Sequence, residues 1–279
     1  MAVIKPFKSI RPRKGLEDKI AALPYDVYNR SEAKQAVKDN PLSFLNIDRP
    51  ETQYDDDFDM YSDESYQTAA RLLDGMLERN EYIRDDKAYY YIYELTMNGR
   101  AQTGIVAVAS VDDYINETIK KHENTRADKE LDRIRHVDTL SAQTGPIFLA
   151  YKSNEAINSI VDKVKTTEPL YDFVSDDLIS HRVWIISDSD DISCIQDAFS
   201  TINSIYIADG HHRCASAVKV SLKRRQEKPD YTGDEEFNYF LSVLFPDNQL
   251  MIMDYNRVIK DLNGKTEAEI IDELKKVGT

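Results

Sequence analysis

Two strand-like runs joined by a tight-turn dipeptide constrain this chain more than any other feature. Ala88-Tyr89-Tyr90-Tyr91-Ile92-Tyr93-Glu94-Leu95 and Gly104-Ile105-Val106-Ala107-Val108-Ala109 are aromatic and β-branched, and Asn98-Gly99 lies between them. Such side chains suit a pleated, half-buried surface, and Asn-Gly supplies the positive-φ pair of a type I′ hairpin turn. An antiparallel pair is therefore expected here. The same stretch spells Gly99-x-x-x-x-Gly104, half of a P-loop. Ile105 and Val106 occupy the places of its Lys and Ser or Thr, so no phosphate loop is assigned to it.

Strands and helices alternate along the rest of the chain. The first 60 residues are irregular, with a short strand at Ala2–Phe7 and a helix expected after Ser31 as its cap. Apolar residues at helical spacing give helices over about 62–80 (Ala69, Leu72, Leu73, Met76, Leu77) and 128–143, the latter with Leu131, Ile134, Val137 and Leu140 inward. Further helices are expected at 156–164, 192–199, 212–225 and 267–277, with strands at 146–151, 173–174, 183–186 and 204–208. Tyr239–Leu244 and Leu250–Met253 complete the set as a strand pair around Pro246-Asp247-Asn248. A hairpin within such alternation predicts a mixed α+β (α/β) fold, a mixed sheet flanked by helices.

Composition narrows the function classes. Lys and Arg total 36 against 50 Asp and Glu, a formal charge of −14, which repels a nucleic-acid backbone and argues against such a partner. Its one counterweight is the basic cluster Lys219, Lys223, Arg224 and Arg225 at the end of a helix, where cations also offset the helix dipole. Two cysteines, Cys194 and Cys214, form no disulfide framework, and Cys214 is expected to be a small helix-face residue. Met1–Pro6 has no signal-peptide core, and no run approaches the ~20 apolar residues of a membrane span. A cytoplasmic chain is expected. Tyr54-Asp55-Asp56-Asp57-Phe58-Asp59 is expected to be a solvated acidic loop.

Two segments carry the candidate chemistry. In the first, the strand Ser204–Ala208 runs into Asp209-Gly210-His211-His212-Arg213 and then a helix. A helix opening directly after a strand gathers unpaired main-chain N–H groups and the positive end of the dipole, which together suit phosphate. Gly210 permits a close backbone approach, Arg213 offers two parallel donors, and Asp209 is the candidate ligand for magnesium. Neighbouring histidines point to opposite sides, so zinc held by His211 and His212 is a weaker expectation than phosphate. In the second segment, His122-Glu123-Asn124-Thr125-Arg126 combines an acid–base pair with a hydroxyl and a guanidinium, and Arg133 and His136 follow on the next helix. A kinase acting on a small alcohol needs a carboxylate to take the hydroxyl proton and cations to neutralise moving charge. Glu123 and His122 are the candidates for proton transfer. Thr125, Arg126 and Arg133 are the candidates for phosphate or substrate contacts. Taken singly, each residue is equally at home as an ordinary cap or a solvated helix start.

Pro24-Tyr25-Asp26-Val27, His122-Glu123-Asn124-Thr125, Gly145-Pro146-Ile147-Phe148, Ile207–Arg213 and Asn256–Gly264 occur in an order that resembles the bacterial family called domain of unknown function 1015. The resemblance spans essentially the whole chain. Members of that family continue past the last motif, so a truncated or unusually short member is expected. They also often carry His where this chain has Asn256. The Asp209–Arg213 turn is similar to the second box of the ParB/sulfiredoxin superfamily, in which a strand–Gly-x-x-Arg–helix turn holds nucleotide phosphates. ParB proteins bind CTP, sulfiredoxin binds ATP, and the superfamily's free serine kinases phosphorylate serine. The strand Ile105–Ala109 followed by His122-Glu123 is similar to the first half of that core. The resemblance implies Glu123 as the catalytic base and Gly210, His211, His212 and Arg213 as phosphate ligands. It also implies an insertion between Glu123 and Asp209. The turn lacks the sulfiredoxin cysteine, which excludes sulfinic-acid reduction from the expected activities.

These features lead to an expected ParB/sulfiredoxin-like nucleotide-binding core over residues 86–279, preceded by an α/β extension or lid over 1–85. The expected activity is a nucleotide-dependent small-molecule kinase, using ATP or ADP with magnesium, and with free serine the foremost acceptor. The alternative is a ParB-like nucleotide-binding regulator with a nucleic-acid partner.

Overall fold

In a computed structural model, the structure describes residues 1–278 other than 255 and 257. Strands β1 (Ile4–Lys5) and β2 (Ile10–Pro12) precede helices α1 (Glu17–Ile20), α2 (Arg30–Val37), α3 (Leu45–Asp48) and α4 (Asp63–Glu78). Then come β3 (Tyr82–Arg84), β4 (Tyr90–Met97), β5 (Arg100–Ser110), α5 (Val111–Ile115), β6 (Ile119–Lys120) and α6 (Ala127–Leu140). The second half runs β7 (Ile147–Tyr151), α7 (Glu155–Lys165), β8 (Tyr171–Val174), β9 (Ser180–Ile186), α8 (Ser189–Ser200), β10 (Ile205–Asp209), α9 (His211–Glu227), β11 (Tyr239–Pro246) and α10 (Glu267–Leu274).

The hairpin forms as expected. Asn98 and Gly99 take φ of 52° and 77°, and Met97 pairs with Arg100, so β4 and β5 are joined by the shortest possible turn. Around them a nine-stranded mixed sheet runs in the order β6-β10-β7-β11-β5-β4-β9-β8, with β1 paired to β5. The β10–β6 and β11–β7 contacts are parallel and the others antiparallel. Helix α9 packs on β7 and β11, α6 packs on α9, and α7 and α8 pack on each other. The largest core gathers Tyr90, Ile92, Leu149, Tyr151, Phe199 and Phe240, all at most 2% exposed. A second core joins Ile20, Ile47, Ala69, Leu73, Met76 and Tyr82 to Leu140 of α6. Residues 1–85 thus contribute β1 to the main sheet while most of their helices pack on one another and on α6.

Four expectations are corrected. Leu250–Met253 forms no strand, because the chain leaves β11 through a 3-10 turn at Asp247–Gln249 and Ile252 stays fully exposed. Asn29, not Ser31, caps α2, and it does so reciprocally with Glu32. Leu131 is exposed, whereas Arg133 and His136 turn into the protein, so the inner face of α6 is largely polar. Helix α10 ends at Leu274 rather than 277. The acidic loop after Tyr54 is largely exposed, as expected. In the last family motif Arg257 lies outside the described residues, while Val258 and Ile259 are exposed. Among the described residues, no helix is long and apolar enough to cross a membrane.

Phe240 is 0% exposed in β11, between β5 and β7. Phe240→Ala is expected to cost about 3–5 kcal/mol of unfolding free energy. Urea denaturation checks this, and a loss below about 1 kcal/mol would place the main core elsewhere.

Candidate functional site

The two chemistry-bearing segments, far apart in sequence, meet in space because β10 lies beside β6. Ile205 pairs with Ile119 and Tyr206 with Lys120 in parallel. The chain that leaves β6 at Lys121 therefore runs alongside the turn that leaves β10. His122 and His211 meet edge to face with ring centroids 4.4 Å apart. Glu123 lies 3.8 Å from Nδ1 of His211 and 4.0 Å from Nε2 of His122. His211 is buried, at 7% exposure, while His122 and Glu123 are open to solvent. Burial, with help from the neighbouring His122, pushes the pKa of His211 below the usual value and favours the neutral ring, although Glu123 pulls the other way.

At the turn itself, Gly210 rather than Asp209 is the N-cap of α9. Its φ is +92°, a conformation that L side chains seldom adopt, and among the described residues no side chain caps the helix. The first N–H groups of this 17-residue helix are thus left without side-chain acceptors. Arg213 lies across the turn. It donates to the Pro146 carbonyl at 2.8 Å and to Asp209 at 2.7 Å. A Cβ on Gly145 or Gly210 would come within 3.2 Å of its guanidinium. Asp209 is therefore the partner of Arg213, through one of its two carboxylate oxygens. Nδ1 of His212 is buried and has no hydrogen-bond partner among the described residues.

Other candidate residues are dispersed. The hydroxyl of Thr125 donates to Glu130, which also receives the ammonium of Lys219, so Thr125 braces the start of α6. Arg126 is the exposed N-cap residue of that helix. Arg133 lies deeper, 7% exposed. It pairs with Asp132 at 2.8 Å, and its guanidinium sits over the ring of Tyr25 at 4.1 Å. Burial opposes its charge, but Asp132, Tyr25 and Asp48 outweigh that opposition and raise its pKa.

Around Arg133 the structure forms a site that sequence reasoning did not assemble. A cavity of about 150 Å³ is lined by Tyr25, Asp48, Arg133, His136, Gly145 and Arg213, among others. A wider cleft of about 510 Å³ shares Tyr25, Asp48, Arg133 and His136. The Tyr25 loop is held over these spaces by Arg49, which donates to the carbonyls of Tyr25 and Tyr28 at 2.9 and 2.7 Å and pairs with the buried Glu51. Nε2 of His136 lies 3.1 Å from the Ile47 carbonyl, which only accepts, so Nε2 carries the proton and Nδ1 presents its lone pair. That Nδ1 and the Oδ1 of Asp48 are buried acceptors with no hydrogen-bond partner among the described residues. In the sequence Pro24-Tyr25 and Gly145-Pro146 stand out only as motifs, without a role. Asp48 had no signal at all.

The family model described as "Protein of unknown function (DUF1015)" matches residues 4–279. The chain belongs to that family. No curated protein and no solved structure matches it. Three of the motifs of this DUF1015 chain, Pro24–Val27, Gly145–Phe148 and Ile207–Arg213, thus converge on the cavity that Arg213 lines, and His122–Thr125 borders the turn beside it.

His136 is 1% exposed, and burial, reinforced by the Arg133 charge, lowers its pKa. A depressed histidine contributes stability that is complete above the ordinary value of about 6.5 and is lost as pH falls towards the folded-state value. His181 and His211 are shifted the same way. Unfolding free energy should therefore fall between about pH 7 and about pH 5, and His136→Gln should flatten that slope. An identical slope in the variant, followed by urea denaturation at each pH, would contradict this.

Proposed function

We propose that this DUF1015 chain is a nucleotide-dependent phosphotransferase that transfers phosphate from ATP or ADP to a small hydroxylated metabolite, with free serine the foremost candidate. The observation that carries the reading is the adjacency of an uncapped helix N-terminus at Gly210–Arg213 to a carboxylate, Glu123, and to the cavity lined by Arg133 and Arg213. Phosphoryl transfer depends mainly on positioning and charge compensation. Helix N–H groups and Arg213 supply the compensation, and Glu123 accepts the proton of the acceptor hydroxyl. The ParB/sulfiredoxin-like character of the Gly-His-His-Arg turn belongs to the same proposal.

The cavity favours an amino acid as acceptor. Its volume of about 150 Å³ is well below the ~300 Å³ at which sites for larger ligands begin. Its polar groups are of two kinds: guanidiniums that suit a carboxylate, and the unpartnered acceptors of Asp48 and His136 that suit an ammonium group. A buried acceptor without a donor costs about 1–3 kcal/mol, which a ligand ammonium would relieve. Serine carries a carboxylate, an ammonium group and a hydroxyl on one small frame.

The regulator alternative gains little. Each member of the basic cluster on α9 is engaged: Lys219 with Glu130, Lys223 and Arg224 with Asp138, and Arg225 with Asp112. Those cations are internally compensated, which argues against a role in binding nucleic-acid phosphates.

Calorimetry with magnesium and ATP or ADP, paired with a serine phosphorylation assay, tests the proposal. Arg213→Ala should weaken nucleotide binding about tenfold or more, the scale of a lost charge-assisted bond. Glu123→Gln should abolish turnover while leaving nucleotide affinity within about twofold, as expected for a group acting in the transition state. Normal turnover by Glu123→Gln at saturation would exclude it as the base. Absence of nucleotide binding by the wild type would remove the phosphotransfer reading altogether.

A further inference from the structure

We propose that His122, Glu123 and His211 form a binding site for one first-row transition-metal dication, of the class represented by zinc or cobalt. The inference stands on the geometry of these three side chains and does not depend on phosphotransfer. One donor atom from each residue lies within 4.8 Å of the others. Around a tetrahedral ion with bonds of about 2 Å, donor atoms stand roughly 3.3 Å apart. The site therefore needs a closure of an ångström or so. His122 and Glu123 can supply it, because their side chains are 60% and 64% exposed and free to change rotamer. His211 is the fixed member, buried at the head of a 17-residue helix.

Chemistry selects the class of ion. Two imidazoles are borderline donors and the carboxylate a hard one, a set that suits zinc, cobalt, nickel, iron or manganese ahead of magnesium or calcium. A histidine ligand must offer a ring nitrogen free of its proton, so binding is expected to weaken as pH falls. The main-chain N–H of His122 stands 3.4 Å from Nε2 of His211, at the long limit of a hydrogen bond, and that contact gives way when the ion takes the imidazole. Three protein ligands leave at least one coordination position open, as in catalytic rather than structural sites. His211 itself opens the helix that starts at Gly210, so an oxygen of a phosphate or alcohol bound at that turn would be near enough to complete the shell. Monodentate ligation leaves the second oxygen of Glu123 for proton transfer. The site assigned here differs from the two expected from sequence, since neither Asp209 nor His212 takes part.

The test uses the full chain stripped with chelator and titrated with cobalt(II) and with zinc(II). Calorimetry and the visible spectrum of bound cobalt give the readout. One ion per chain is expected, with magnesium unable to displace it at a large excess. His122→Ala and Glu123→Gln change exposed side chains, and each should weaken binding at least tenfold. His211→Gln should abolish it, with circular dichroism verifying the fold. The absence of stoichiometric binding, or affinity unchanged in His122→Ala and Glu123→Gln, overturns the assignment. Nucleotide titrated into the same samples separates the two readings. Metal binding without nucleotide binding keeps this site and removes phosphotransfer, and the converse removes the metal site alone.

Discussion

The candidate site depends on one pairing, the parallel contact of the two-residue strand β6 with β10. Ile119 and Lys120 add to the sheet edge beside Ile205 and Tyr206. That short contact carries residues 121–126 to the mouth of α9. Without it, Glu123 would be an acid in an exposed loop with only its chain neighbour His122 beside it and His211 out of reach. On its other side β10 pairs antiparallel with β7, with a shift in register between Ile207 and Asp209. The pairing breaks where the chain must turn into the helix, which frees Asp209 and Gly210 to shape the turn. Ala208 and Asp209 are exposed at the end of a strand whose Ile205 and Ile207 are buried, so a rigid strand presents an accessible turn.

Charge is placed in the interior at a cost that packing alone does not explain. Desolvating a guanidinium costs several kcal/mol unless its partners are well placed. Arg133 has Asp132 and the Tyr25 ring, yet Asp48 and His136 beside it keep acceptors that no described residue partners. Apolar residues would fill the same face of α6 more cheaply. Buried polar groups left incompletely paired, next to cavities, are expected where binding rather than stability has set the residue choice. The buried Arg49–Glu51 pair belongs with them, because its outward bonds hold the Tyr25 loop in place.

The sequence was most legible where the physics is local. Asn98-Gly99 announced its hairpin, the apolar spacing of Ala69 to Leu77 announced α4, and Ile205–Ala208 followed by Gly210 announced the strand-to-helix turn. Legibility failed where long-range packing decides. Ser31 is as good a cap as Asn29, and only the reciprocal bonds with Glu32 separate them. On α6, Leu131 fits an apolar stripe, but the stripe is rotated because Arg133 and His136 turn inward towards Asp48 and Tyr25. Leu250–Met253 has strand composition but no neighbour to pair with beyond the 3-10 turn. For the site, the residues of each short motif were readable and their meeting was not. The contact of His122, Glu123 and His211 follows from the β6–β10 pairing, for which a two-residue strand leaves almost no pattern. The pairing of Asp209 with Arg213 likewise depends on the turn's three-dimensional shape.

The proposed phosphotransfer requires phosphates to bind at the head of α9, beside the His122–Glu123 segment. Hydrogen–deuterium exchange of the intact chain, with and without saturating magnesium–nucleotide, tests it most directly. Bound phosphate would occupy the uncapped N–H groups and hold the adjoining loop. Protection is therefore expected in peptides covering residues 206–216 and 120–126, with β4 and β9 unaffected. Saturating nucleotide that leaves both segments unchanged, or protects only regions remote from them, would contradict the claim.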